Sequence, residues 1–203
     1  MIEFDHIAIS GETLVEATEH VEAALGVSLQ PGGEHAVFHT HNTLLGLEDG
    51  LYLEAIAINP NAPTPDRPRW FALDQFSGPA RLTNWICRTQ DLATTLDNIP
   101  HDLGAPVALQ RGDLRWDMAV PASGHLPFDN CAPALIQWRT DLHPATRLTP
   151  SRVRLKRLTV RHPNAEDLRA SLPLDDDRIT FETGPAGLHA AFDTPHGARE
   201  IGG

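Results

Sequence analysis

The sequence predicts an α+β protein of paired βαβββ modules with a truncated third βαββ unit. Three observations carry that prediction. An order of one strand, one helix and three strands begins near Glu3 and recurs from Arg81, and the start of the same order appears again from Val153. Each helix reads as amphipathic, so no unit covers its own sheet alone. In the two full units, equivalent strand positions hold polar residues inside apolar runs: His6 and Glu54 in the first, Asn84 and Gln137 in the second.

Residues 3–10 (EFDHIAIS) form the opening strand, and Gly11 turns the chain into a helix. Thr13 and Glu16 have the spacing of a capping box. Leu14, Ala17, Val21 and Leu25 make one apolar stripe, and Gly26 is placed to stop the helix. Strands are predicted near 35–41, 43–48 and 51–58. The segment NPNAPTPDRPRW that follows is irregular by its proline content, and a short helix is expected at 71–76. In the second unit, LTNWICRT is a strand, 91–99 a helix stopped by Pro100, and 107–110, 114–120 and 134–139 are strands. The third has a strand to Arg161, a helix over 164–172 with Asn164 as its cap, and strands at 178–182 and 188–193. It runs out of chain before a fourth. The expected division is 1–79, 80–150 and 151–203.

Composition narrows the function. A chain of 203 residues with 41% hydrophobic and 21% charged content buries a sizeable core. Its net charge of −11 excludes nucleic acid and anionic membrane as partners, because those surfaces call for clustered Lys and Arg. The one basic run, RVRLKRLTVR, alternates with apolar residues and reads as the solvated face of a strand. Cys87 and Cys131 lack the spacing of a disulfide framework or a thiolate zinc site. Reduced thiols, no basic-then-apolar leader and no membrane-length apolar run lead to an expected cytoplasmic location.

Glu54 lies in LYLEAIAI, a run apolar enough to be covered on both faces. An ionised Glu in such a place needs a partner, a wet cavity or a metal. His6 is the candidate partner, and Asn84 and Gln137 superpose on His6 and Glu54 in the second repeat. If the repeats meet about a pseudo-twofold axis, all four converge on one cavity, with donors that suit Zn, Mn, Ni or Fe(II). A plain His6–Glu54 hydrogen bond would satisfy both without a metal. His35, His39 and His41 share one face if they lie on one strand. Trp85, Trp116 and Trp138 either line the cavity or fill the core.

DHIAI opening the first unit and YLE closing it resemble the vicinal oxygen chelate superfamily. The run GG-x-H-x-x-x-x-T-x-N-x-LL-x-L, here Gly32, Gly33, His35, Thr40, Asn42, Leu44, Leu45 and Leu47, is similar to its glyoxalase-like domain subgroup. Arg115-Trp116, LIQW and His143-Pro144 are further subgroup-like marks, so the resemblance spans essentially the whole chain. It implies a cup-shaped sheet in which the positions of His6, Glu54, Asn84 and Gln137 supply metal ligands. It also implies Glu54 and His35 as groups that move a proton, with Thr40, Asn42, Trp85, Arg115 and Trp116 around a small-molecule pocket. The chain departs from the full metal-binding pattern, because its second repeat offers two neutral amides where typical members offer a His or Gln and a Glu.

The function expected on this basis is a metal-dependent enzyme, a lyase, isomerase or dioxygenase, acting on a small oxygenated metabolite through a carbonyl or enediolate. A metal-free protein that sequesters a small molecule in the same cavity is the alternative. A scaffold with a filled cavity is the third. Pairing of modules within one chain or across a homodimer are both open.

Overall fold

A computed structural model describes all 203 residues. The first unit comprises β1 (Glu3–Ser10), α1 (Leu14–Leu25), β2 (Gln30–His35), β3 (Thr40–Gly46) and β4 (Tyr52–Ile58). The second comprises β5 (Arg81–Arg88), α2 (Leu92–Asn98), β6 (Ala105–Arg111), β7 (Leu114–Val120) and β8 (Ala134–Trp138). Their eight strands form one sheet in the order β2-β3-β4-β1-β5-β8-β7-β6. That order reads alike from either end about the antiparallel β1–β5 pair, so the two units meet within one chain.

The helices lie on one side of the sheet for reasons visible in the sequence. Thr13 and Glu16 cap α1 reciprocally, and Gly26 ends it in the left-handed region at φ 72°. The stripe Ala17, Val21 and Leu25 is fully buried, which stabilises by about 1.5–3 kcal/mol for each of the two larger side chains. Thr18 of α1 and Thr43 of β3 join their hydroxyls at 2.8 Å, so Thr43 marks the outer, helix-covered face. Alternation then puts Asn42 and Leu44 on the inner face. Strand register carries this across the sheet: Leu44 pairs with Glu54, Glu54 with Ala8, and Ala8 with Asn84.

Several expectations are corrected. The strand over 35–41 is instead a hairpin: β2 ends at His35, and His39 turns the chain at φ 51°. His35, His39 and His41 therefore share no face. Pro31 is tolerated because β2 is an edge strand. The helix expected over 71–76 is a 3₁₀ segment, Trp70–Gln75, broken by Phe71 and Ala72 at φ 59° and 55°. Asn164 precedes α3 (Ala165–Ser171) without a side-chain cap bond.

The third unit is not truncated. After β9 (Arg154–Arg161), α3, β10 (Ile179–Glu182) and β11 (Gly187–Thr194) comes a fourth strand, β12 (Gly197–Gly202). Its sheet order, β10-β9-β11-β12, also differs from the repeat. Here the strand after the helix pairs with the opening strand in parallel, whereas in the first unit the last strand, β4, does so. Sequence GAREIG is polar enough to read as a tail; its pairing to β11 is what makes it a strand. This sheet packs on the outer face of the large one, where Phe181 meets Trp85 with ring centroids 6.2 Å apart. No helix is long and apolar enough to cross a membrane.

Candidate functional site

His6 and Glu54 reach the same side of the sheet from neighbouring parallel strands. Glu54 Oε2 lies 3.9 Å from His6 Nε2, and Glu54 Oε1 lies 4.0 Å from His35 Nε2. Asn42 Nδ2 donates to Glu54 Oε1 at 2.5 Å. The opposite atom of that amide, Oδ1, accepts from the Gly33 backbone at 2.8 Å and from Arg111 at 3.1 Å. With Tyr52, Trp70, Phe71, Trp116, Met118 and others, these side chains enclose about 20 Å³, room for roughly one water molecule or ion.

Their protons can be placed by chemistry. His6 Nδ1 lies 2.6 Å from the Asp5 carboxylate, an acceptor, so Nδ1 carries hydrogen. Burial opposes ionisation of Asp5. Hydrogen bonds from His143 and His6, and the charge on both, nonetheless hold its carboxyl well below the usual carboxylate range. With its hydrogen on Nδ1, the neutral form of His6 presents a lone pair at Nε2, where the Tyr52 hydroxyl lies at 3.3 Å. Burial, then the charges of Asp5 and Glu54, raise the Tyr52 hydroxyl well above its ordinary value and keep it protonated.

His35 follows the same pattern. Burial and the Arg111 guanidinium lower its pKa to about 3, so it is neutral near pH 7. Arg111 has only donors, and it faces His35 Nε2 at 3.5 Å. The lone pair is therefore on Nε2, and Nδ1 donates to Thr40 at 3.0 Å. Two imidazole nitrogens and a carboxylate thus converge, each met by a donor from the wall: Tyr52, Arg111 and Asn42.

His6 and Glu54 fit a divalent cation in kind. An imidazole and a carboxylate suit Zn, Mn, Ni or Fe(II), and His6 has its Nδ1 held by Asp5, the outer support that a ligating histidine needs. No three His, Cys, Asp or Glu side chains are drawn close enough to clasp an ion here. Asn84 stands on the same face, across Ala8 from Glu54, fully buried and with both amide atoms unpaired. A missing partner at this row is the simplest account of so costly a group.

Gln137 does not join the site. Its side chain accepts from Leu92 N at 3.0 Å and donates to Gln90 O at 2.7 Å, tying the start of α2 to the sheet from outside. The register shows why. Ala8, two residues after His6, pairs with Glu54, and Ile86, two after Asn84, pairs with Ala134. Ala134, not Gln137, is the counterpart of Glu54. Trp85 also points outward, its Nε1 donating to Cys131 O at 2.8 Å. Arg115 is exposed on the outer face, paired across the hairpin with Gln110. Thr40, Asn42, Trp116 and Trp138 do face inward. Asp5, Tyr52 and Arg111 complete the site without having been singled out in the sequence.

A sequence-family profile described as a glyoxalase-like domain matches residues 4–174. No curated protein matches the chain in sequence. A hypothetical protein from Staphylococcus aureus shares the fold, with a TM-score of 0.65 at 16% identity over 92% of this chain and 88% of that one. Weaker likenesses are a Mn(II)-bound glyoxalase from Novosphingobium aromaticivorans (TM-score 0.49, 9% identity, 98% and 81% covered) and the methylmalonyl-CoA epimerase of Mycobacterium tuberculosis (0.42, 18%, 66% and 85%). With the profile running through both βαβββ units and into the third, the chain belongs to the glyoxalase-like domain family of the vicinal oxygen chelate superfamily.

Proposed function

We propose that this protein is an enzyme that moves a proton on a small oxygenated metabolite in the cavity between the first two units. The observation that carries the proposal is the convergence of His6 Nε2, His35 Nε2 and the Glu54 carboxylate at 3.9 and 4.0 Å on one buried space. A divalent cation, when bound, would be held by His6 and Glu54 with the Asn84 amide in reserve, and would supply Lewis acidity to a carbonyl or enediolate oxygen. Without a cation, Glu54 Oε2 is the carboxylate oxygen left open to accept a proton. Asn42 fixes the other oxygen and keeps the carboxylate from turning. His35, held neutral, receives a substrate hydroxyl. Trp70, Phe71 and Trp116 exclude water from a space already small.

A metal-free binding function is the second reading, and Arg111 favours it by bringing a positive charge to the same cavity. Thermal unfolding of the protein and of Glu54→Gln, each with and without excess Mn(II) or Zn(II), tells the two apart. Metal should stabilise the wild type alone, since ligands that bind only the folded state raise its stability. An unresponsive wild type rules out the metal-assisted reading and leaves the binding function.

A further inference from the structure

Arg111 comes from the end of β6, and its charge has no counterpart in the protein. It meets Asn42 Oδ1 at 3.1 Å and His35 Nε2 at 3.5 Å, both through one terminal nitrogen. Arg69, Arg88, Arg147 and Arg178 by contrast each hold an Asp or Glu. Glu54 lies just beyond, but Asn42 stands between and takes up both: its oxygen meets Arg111 and its nitrogen meets Glu54. The stem is fixed by shape, because a Cβ on Gly33 would stand 2.6 Å from Arg111 Cδ. A held guanidinium, with Nε and its second terminal nitrogen unbonded, lines a cavity walled by indoles.

We propose that Arg111 is the binding residue for a carboxylate on the substrate of this cavity, whose aromatic wall must move aside to admit it because the space holds only about 20 Å³ in this conformation. A planar carboxylate matches the two free nitrogens of the guanidinium side by side. The ligand is a monoanion by charge. The Arg111 guanidinium is the only cationic side chain lining the site, and the nearby Glu54 carboxylate repels a phosphate dianion more strongly. The proposal rests on the proposed function only for the choice of cavity; carboxylate binding needs no metal.

The test is calorimetric titration of the full chain, its Arg111→Gln variant and its Arg111→Lys variant. The probes are pyruvate, pyruvamide and inorganic phosphate, each in EDTA and again with Mn(II). Pyruvate should saturate the wild type in EDTA, with pyruvamide at least about tenfold weaker, the factor that a charge-assisted pair is worth. Arg111→Gln should weaken pyruvate by the same factor, and Arg111→Lys should fall between, since it keeps a point charge and loses the fork. Equal binding of pyruvate and pyruvamide, preference for phosphate, an unaffected Arg111→Gln, or no saturable binding of pyruvate would each overturn the inference. Should Arg111→Gln fail to fold, the pyruvate–pyruvamide contrast on wild type and Arg111→Lys decides. A missing Mn(II) response with carboxylate binding intact would remove the metal and leave this assignment standing.

Discussion

Asp5 and His6 are adjacent in sequence, yet their side chains meet at 2.6 Å because β1 shifts register against β5 between Phe4 and His6. The same carboxylate accepts from His143 at 3.0 Å and from Trp138 at 3.1 Å. It therefore fixes the tautomer of His6 while tying it to the segment that follows β8. An Asn side chain has one acceptor oxygen for three donors. Asp5→Asn should cost about 3–5 kcal/mol, the usual loss when a buried charged network loses a member. It should also move the His6 proton off Nδ1. Urea unfolding and ¹⁵N shifts of the His6 ring check both; unchanged ring shifts would show that Asp5 does not set the tautomer.

Acid should weaken the fold through His35. Its folded pKa of about 3 lies below the ordinary 6.5, so between those values the unfolded chain binds a proton that the folded one refuses. Stability then rises with pH across that window and is lost as pH falls from about 6.5 toward 3. The full loss is on the order of 3–5 kcal/mol. His35→Gln carries no such proton, so the stability difference between wild type and variant should shrink or reverse in acid. Parallel pH profiles from denaturant unfolding would contradict this.

Gln137 is the control. Losing its bonds to Leu92 and Gln90 removes a partner from the first turn of α2, worth about 1–2 kcal/mol. Gln137→Ala should lower the denaturation midpoint by that amount and leave any metal or carboxylate response as in the wild type. Loss of the metal response with the fold intact would restore Gln137 as a ligand.

Periodicity made the two modules and α1 with its caps legible, because each follows from spacing within one segment, and the two apolar strands that each hold one polar residue pointed to His6 and Glu54. What stayed hidden depended on register between segments. Asp5 was invisible because strict alternation sends it away from His6, and only the register shift brings it back. Arg111 was passed over for Arg115, since only the hairpin pairing of Arg111 with Leu114 and Arg115 with Gln110 decides which enters the cavity. Gln137 was misplaced for the same reason: β8 is shorter than β4, and counting along similar-looking runs put it three residues from the true counterpart, Ala134. The fourth strand of the third unit owes its existence to a partner, not to its own composition.

The cavity treats its two repeats unequally. Every ionisable group facing Glu54 at close range comes from the first, while the second lends Trp116, Met118, Ile136 and Trp138 as wall, and Arg111 alone as charge. A duplicated fold used as the proposed function has it would separate what reacts from what is admitted. Under the proposed function, substitutions in the second copy would reshape or recharge the wall without touching His6, His35 or Glu54, so new ligand preferences would be reachable by changes that leave the first copy as it stands. The unpaired amide of Asn84 marks the place where that division is least complete, and a single exchange there, Asn84→His or Asn84→Leu, would tilt the second copy back toward chemistry or wholly toward shape.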